Sequence, residues 1–313
     1  MQCIHIDNDR DLEIDTDGDA LVLKSAGRKT GSVPLGNTER IILHGDTRIQ
    51  ARALAKIGST GAGLIVMLGI KHEPTVFLPR AHHDASIRLG QHHAHTVHRL
   101  QEARLVLLAK WQSQVSAIEG ALQHQPEYRL PLHAALRQLR EVHPHLQTMS
   151  TLHAMMGWEG GCAEIYYQAL SARLPPWAGF ERRNRRPPKD PANVLMSLSY
   201  TLAQADAVMS AHQHGLDPDI GMLHALEFSR ASLACDLIEP LRAPIDDWIV
   251  NQLQTGVFAA ADFAQTDTAC QMSKSARARF YQAWEAARPP WRALLDKECQ
   301  ARTNRWRAKP CVT

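Results

Sequence analysis

Short apolar runs broken by turn pairs fill residues 1 to about 80, and a three-to-four-residue apolar spacing takes over from about residue 85. In the first region, residues 20–24, 31–35 and 40–43 read as strands bounded by Asp-Gly, Gly-Arg and Gly-Asn pairs. Thr47 as a cap, with Ile49, Ala53 and Ile57 at helical spacing, predicts one helix among them that stops at Gly58. Residues 64–68 follow as a buried strand. Gly58, Gly61 and Gly63 do not form a nucleotide loop, because such a loop runs from strand into helix and here the order is reversed.

Beyond residue 85, Leu100, Ala103, Leu107, Trp111, Val115 and Ile118 form one helical stripe. Leu195, Leu198, Leu202, Ala205 and Met209 form another, with Asp190 as its cap, Pro191 in its first turn and Gly215 beyond its end. Residues 279–295 read as a third helix interrupted at Pro289-Pro290. The change of period near Leu78-Pro79-Arg80 sets the expected domain boundary. The predicted fold class is α+β: a small N-terminal β-rich domain (1–80), then a larger all-α domain (81–313).

The chain has 313 residues, 44% hydrophobic and 21% charged, which is ordinary globular composition and excludes a disordered polymer. No apolar run approaches the length of a membrane span, and residues 1–7 lack the pattern of a secretory signal. Six scattered cysteines without a CxxC pair suggest reduced thiols in a cytoplasmic protein. A net charge of +3 does not by itself call for nucleic acid, so local clusters must carry that argument.

Three places carry chemistry. A helix starting near Ser150 puts Leu152, Met156, Ala163, Tyr167 and Leu170 on one face, with Glu159 in the same row. A carboxylate on a buried stripe is costly unless it is paired or bound to a cation; a structural ion pair, or a small rotation of the helix toward water, would also satisfy it. The segment 215–224 forms a Gly/Pro-defined loop that delivers His224 after an apolar run. In 230–242, Leu233, Leu237 and Leu241 point to the core, while Ser232, Asp236 and Glu239 line the adjacent flank, and Pro240 predicts a kink. That flank is either a cation site or an acidic face turned to solvent.

Arg182, Arg183, Arg185, Arg186 and Lys189 form a basic loop suited to phosphates. Arg302, Arg305, Arg307 and Lys309 read as a basic tail. The histidines 82, 83, 92, 93, 95 and 98 raise the alternative of a zinc site. No glutamate is placed beside them as a general base, so an exposed helix start is the preferred reading.

Taken in order, these segments resemble the CRISPR-associated endonuclease/integrase of the spacer-acquisition module. The matching blocks are Trp158-Glu159-Gly160 with Ala163, Tyr166 and Tyr167; residues 186–193 running into 198–202; Gly215 to Pro218 with Gly221 to His224; and Arg230, Ser232, Leu233, Asp236, Leu237, Glu239, Pro240 and Arg242, closing with Asp246. The likeness is specific from about 155 to 246. It implies an N-terminal β-domain used for dimerisation and an α-helical catalytic domain. It further implies that Glu159, His224 and Glu239 bind Mg²⁺ or Mn²⁺, with Asp236 beside them; which of Asp236 and Glu239 is the direct ligand stays open.

The implied reaction is attack of a DNA 3′-hydroxyl on a phosphodiester, inserting spacers into an array. Arg182, Arg183, Arg185, Arg186, Lys189, Arg230 and Arg242 would hold the backbone of double-stranded DNA. The implied partners are a second copy of the chain and a small CRISPR-associated adaptation protein, in a heterohexamer. The competing expectations are a stand-alone mobile-element integrase or nuclease and a catalytically silent DNA-binding scaffold.

Overall fold

The computed structural model describes residues 2–7, 11–67, 74–79, 84–184, 187–228 and 230–307. The chain divides into two compact units, Met1–Ala85 with His212–Gly215, and Ser86–Ala211 with Leu216–Thr313.

The first unit contains β1 (Gln2–Asp7), β2 (Leu12–Asp17), β3 (Ala20–Ser25), β4 (Arg28–Pro34), β5 (Thr38–His44), β6 (Arg48–Ile49), α1 (Ala51–Ser59), β7 (Gly63–Met67) and β8 (Pro74–Phe77). One sheet has the order β1-β5-β7-β8 and the other β4-β3-β2-β6. In the first, β5 pairs in parallel with both β1 and β7. Its Ile41-Ile42-Leu43 run is buried on both faces, as expected of a central strand covered on two sides. The hairpin between β3 and β4 turns through Ala26 and Gly27, both at positive φ (49° and 75°), the left-handed pair that matches strand twist. Ile14, Leu21, Val33, Ile41, Ala53, Ile57 and Leu64 share one apolar core.

The predicted strands at 20–24, 31–35, 40–43 and 64–68 correspond to β3, β4, β5 and β7, with Leu68 outside the described residues. Three details differ from expectation. The helix begins at Ala51 after Gln50, so Thr47 does not cap it. Ile49 belongs instead to the short strand β6, paired with Ile14. The periodicity also passed over β1 and β2, whose sequences, Gln-Cys-Ile-His-Ile-Asp and Leu-Glu-Ile-Asp-Thr-Asp, intersperse polar residues.

The second unit is built on α2 (Ala85–Val97), α3 (Arg99–His124), α4 (Arg129–Val142), α5 (His145–Thr148), α6 (Leu152–Arg173), α7 (Pro191–Gln213), α8 (Ser232–Ile238), α9 (Arg242–Gln254), α10 (Lys274–Ala287) and α11 (Pro289–Trp306). A two-stranded ribbon, β9 (Phe263–Gln265) with antiparallel β10 (Cys270–Met272), interrupts the helices. The 26-residue α3 is the spine, packed against α4, α6, α9 and the 3-10 turn Glu239–Leu241. The predicted helices are present, and the Pro289-Pro290 break starts a separate helix because proline is tolerated in a first turn. Asp190 caps α7 through its side chain, accepting from Asn193 N at 2.8 Å. Among the described residues no helix is long and apolar enough to cross a membrane.

Candidate active site

Thr151 caps α6, its hydroxyl accepting from Ala154 N at 3.2 Å. The face of α6 that packs inward is Met155, Trp158, Cys162, Tyr166 and Ala169. Of the row expected to be core only Leu170 is buried; Met156 is exposed, and Leu152, Glu159, Ala163 and Tyr167 are half-buried on the flank. The helix is rotated by one position because the Trp158 indole anchors it, donating to Val142 O at 2.9 Å. Glu159 therefore sits at the border of the core. There it meets Lys110 of α3, whose ammonium donates to Glu159 Oε1 and lies 2.6 Å from Glu239 Oε2. Burial alone would discharge Lys110, but Glu239 and Glu159 together raise its pKa and keep it an ammonium.

The loop carrying His224 is held from two sides. From α2 and α3, Gln91 donates to Asp217 O (2.8 Å) and Ile220 O (2.9 Å) and accepts from Asp217 N (2.8 Å). The His95 Nδ1 lies 2.7 Å from Gly221 O, and Arg99 donates to Met222 O at 3.0 Å. From α8, the buried Asp236 carboxylate accepts from the backbone N–H groups of Met222 (2.5 Å), Leu223 (3.0 Å) and His224 (3.1 Å). Gly221 makes this closeness possible, since a Cβ there would stand 2.6 Å from the Ser232 carbonyl carbon.

Asp236 also accepts from His224 Nδ1 at 2.7 Å. A carboxylate partner places the ring proton on Nδ1, which leaves the Nε2 lone pair free and directed away. That nitrogen lies 4.0 Å from Glu239 Oε1.

Pro240 converts the end of α8 into a 3-10 turn, and Ser113 of α3 pins it by donating to Pro240 O at 2.6 Å. Asp236 and Glu239 both face inward, so the solvent-facing alternative for this flank does not hold. Burial would raise the Glu239 carboxyl. Arg242 and Lys110 overcome it and hold this group well below the usual carboxylate range. Arg242 Nε donates to Glu239 Oε1 at 2.9 Å, and its guanidinium lies over the Tyr200 ring, 4.5 Å from the centroid. Two distant stretches of chain thus bring Glu159 and Glu239 to one ammonium, and His224 approaches Glu239 on its other oxygen.

Behind Arg242, the buried Asp246 accepts from Tyr200 OH at 2.5 Å. Burial pushes its carboxyl up to about 7, against the opposing pull of Tyr200, Arg183, Arg242 and Tyr166; Tyr167 also faces it. The folded state therefore holds a proton that the unfolded chain releases near pH 4, and stability falls as pH rises from about 4 to about 7. Wild type is expected to lose about 2–3 kcal/mol between pH 5 and 8 relative to Asp246→Asn. Urea denaturation of both proteins across that range checks this, and parallel curves would refute it.

Among the expected phosphate-binding residues, Arg182 and Lys189 are exposed, and Arg185 and Arg186 lie outside the described residues. Arg183 turns inward, donating to Asn193 Oδ1 (2.6 Å) and Ser197 Oγ (3.1 Å) with its guanidinium over Tyr200. Arg230 donates to Ala225 O at 2.7 Å. His92, His93 and His98 are exposed on or just beyond α2, whereas His95 serves the loop; His82 and His83 lie outside the described residues. The C-terminal arginines are not a free tail. Arg302 pairs with Glu298 (2.8 Å) and Arg305 with Glu102 (2.7 Å), within or from α11, while Lys309 lies outside the described residues. Sequence reasoning missed Lys110, whose one signal is a lysine within the apolar stripe of α3.

Residues 6–286 match the family described as CRISPR associated protein Cas1. The CRISPR-associated endonuclease Cas1 1 of Thermodesulfovibrio yellowstonii is 28% identical over 97% of both chains. The Cas1 3 endonuclease of Thermus thermophilus reaches 38% identity over 42% of this chain and 40% of its own. Among solved structures, a Thermotoga maritima Cas1 protein superposes with a TM-score of 0.84 at 20% identity, covering 97% of each chain. A casposase bound to integration product gives 0.81 at 19% identity, over 97% of this chain and 91% of that one. A chain of a Cas6-RT-Cas1–Cas2 complex gives 0.79 at 21%, over 97% of this chain and 35% of that one. With its two-part fold and the family match spanning most of its length, this chain belongs to the Cas1 family of CRISPR-associated proteins.

Proposed function

We propose that this chain is a DNA endonuclease and integrase that works with Mg²⁺ or Mn²⁺ held by Glu159, Glu239 and His224 Nε2. The observation that carries the reading is that Lys110 joins Glu159 of α6 to Glu239 of the 239–241 turn, while the His224 imidazole nitrogen of the 215–231 loop lies 4.0 Å from that same Glu239 carboxylate. The donor set fits such an ion: Glu159 and Glu239 turn carboxylate oxygens toward one cation, Lys110, and oxygens plus one imidazole suit Mn²⁺ and Mg²⁺. When bound, the cation would polarise a phosphodiester and stabilise the attacking and leaving oxygens.

The protein's own part is preorganisation. Asp236 fixes the ring orientation and tautomer of His224, and Arg242 holds Glu239 ionised. In strand transfer, a DNA 3′-hydroxyl oxygen bonds to phosphorus as the bond to the leaving 3′-oxygen breaks; the attacking hydroxyl gives its proton to solvent, and solvent returns one to the leaving oxygen. One phosphodiester is exchanged for another, so no nucleotide energy source is needed; water in place of the hydroxyl gives cleavage. Arg182, Lys189 and Arg230 are positioned in the sequence to bind backbone phosphate. Arg183 and Arg242 act from inside, by shaping the loop and the carboxylate. The partners proposed are double-stranded DNA, a second copy through the N-terminal unit, and a small CRISPR-associated adaptation protein in a heterohexamer. The reading is supported by a structural neighbour that is a Cas1–Cas2-containing complex and another that is a casposase with integration product.

Transfer of a labelled duplex into repeat DNA, with and without Mn²⁺ and the partner, tests this. Glu159→Ala and His224→Ala are expected to abolish product while keeping the helical circular-dichroism spectrum. Full activity in either variant would overturn the assignment.

A further inference from the structure

Four residues beyond His224, the chain makes a tight turn closed by a hydrogen bond from Arg230 N to Glu227 O at 3.2 Å. The base of this loop is stitched: Ser232 Oγ and the Arg230 guanidinium both donate to Ala225 O at 2.7 Å. Arg230 also neutralises Glu227 at 2.7 Å. On this anchored turn the Phe228 side chain is wholly exposed, and Leu226, two positions earlier, is half exposed. Among the described residues no other large apolar side chain is exposed as fully. Burying Phe228 against a ligand would remove apolar area from water and so favour its binding.

The loop's attachment limits what that ligand is. Four residues of extended chain span at most about 14 Å, and successive nucleotides of a strand rise about 3.4 Å. A phosphate reacting at His224 therefore has Phe228 within about four nucleotides of it. An aromatic ring at this reach, beside an arginine, matches the apolar wedges that enter base steps and the platforms on which bases stack.

We propose that Phe228 inserts into a base step of the DNA next to the reacting phosphate and holds the target open there. The inference rests on the strand-transfer reading and goes beyond it by naming what the loop recognises: the π-face of a nucleobase, with little regard to sequence. A wedge at this position selects distortable DNA, since pyrimidine–purine steps unstack most readily.

The experiment uses the full chain and repeat duplexes carrying 2-aminopurine at successive positions within about six nucleotides of the insertion junction. Wild type and Phe228→Trp are expected to raise emission at one or two positions, and Phe228→Ala to abolish the rise. Strand transfer by Phe228→Ala is expected to fall about tenfold, with Mn²⁺ affinity unchanged because His224 and Asp236 are untouched. The same emission pattern in Phe228→Ala, or undiminished transfer, overturns the wedge. So does weakened Mn²⁺ binding, which would make Phe228 a support of the loop, or a changed oligomeric mass, which would make it a contact between protein chains. Wild type that transfers strands while Phe228→Ala is unimpaired sinks this inference alone. Wild type inactive with Mn²⁺ and partner sinks the reading beneath it.

Discussion

Replacing Lys110 with alanine is expected to cost about 3–5 kcal/mol of folding stability and to make the site depend on an added cation. The ammonium lies between Glu159 and Glu239, and its side chain is only 11% exposed. Without it, Glu239 keeps Arg242 as a partner, but the two carboxylates face each other across the gap with no proton donor between them. The lost stem adds a cavity beside α3. Glu239 now contributes stability that is present above pH 4.5, its unfolded value, and lost as the pH falls through its depressed folded value. With Lys110 removed that folded value moves up, so acid unfolding begins at higher pH.

The same variant separates a cation site from a mere ion pair. A divalent ion bound by those carboxylates stabilises the folded state by mass action. It should therefore raise the urea midpoint of Lys110→Ala more than that of wild type, in which the ammonium competes for the same oxygens. Equal effects of Mn²⁺ on both proteins, or a Lys110→Ala midpoint matching wild type, would count against this account of the centre. Lys110→Ala/Glu159→Gln should recover part of the loss, because the carboxylate that Arg242 does not pair has lost its charge.

Much of this architecture was legible in the chain. The switch from period two to period 3.6 separated a β-rich region from a helical one, and Asp190-Pro191 marked the start of α7. Local patterning fails where a partner decides the outcome. β1 and β2 went unread although Ile4 and Ile6, and Leu12 and Ile14, alternate with polar residues; the runs are short, and their neighbours in the sheets complete the signal. The face of α6 was misjudged by one position: Met156 and Tyr167 are as apolar as Met155 and Tyr166, and only the Trp158 anchor selects between them. Glu159 was marked by its place among apolar residues, yet its position is the border of the core. Lys110 was invisible because a lone lysine in an amphipathic stripe reads as snorkelling to water; its two partners come from 49 and 129 positions away. The acidic flank of α8 was ambiguous for a related reason, since the backbone donors that bury Asp236 belong to the loop before it.

Asp236→Asn is expected to cut strand transfer by about 10²–10⁴-fold while the chain still folds, although it removes no candidate ligand. The carboxylate serves two pairs of donors: Oδ2 takes the N–H groups of Met222 and Leu223, and Oδ1 takes the His224 backbone N–H and ring Nδ1. An amide has one accepting oxygen. If it keeps the Met222–Leu223 side, its NH₂ group faces His224, and donor meets donor. The ring relieves its part of the clash by moving its proton to Nε2 and accepting at Nδ1, at the expense of the Nε2 lone pair, and one backbone N–H, that of His224, is left without its acceptor. The opposite orientation strands two backbone N–H groups in a site with no exposure, at about 1–3 kcal/mol each, so the tautomer switch is favoured. Nitrogen-15 spectra of histidine-labelled protein would show Nε2 protonated in the variant and Nδ1 protonated in wild type, with Mn²⁺ binding weakened in parallel. An Asp236→Asn protein that retains the wild-type tautomer and wild-type transfer would show that the buried carboxylate merely shapes the loop.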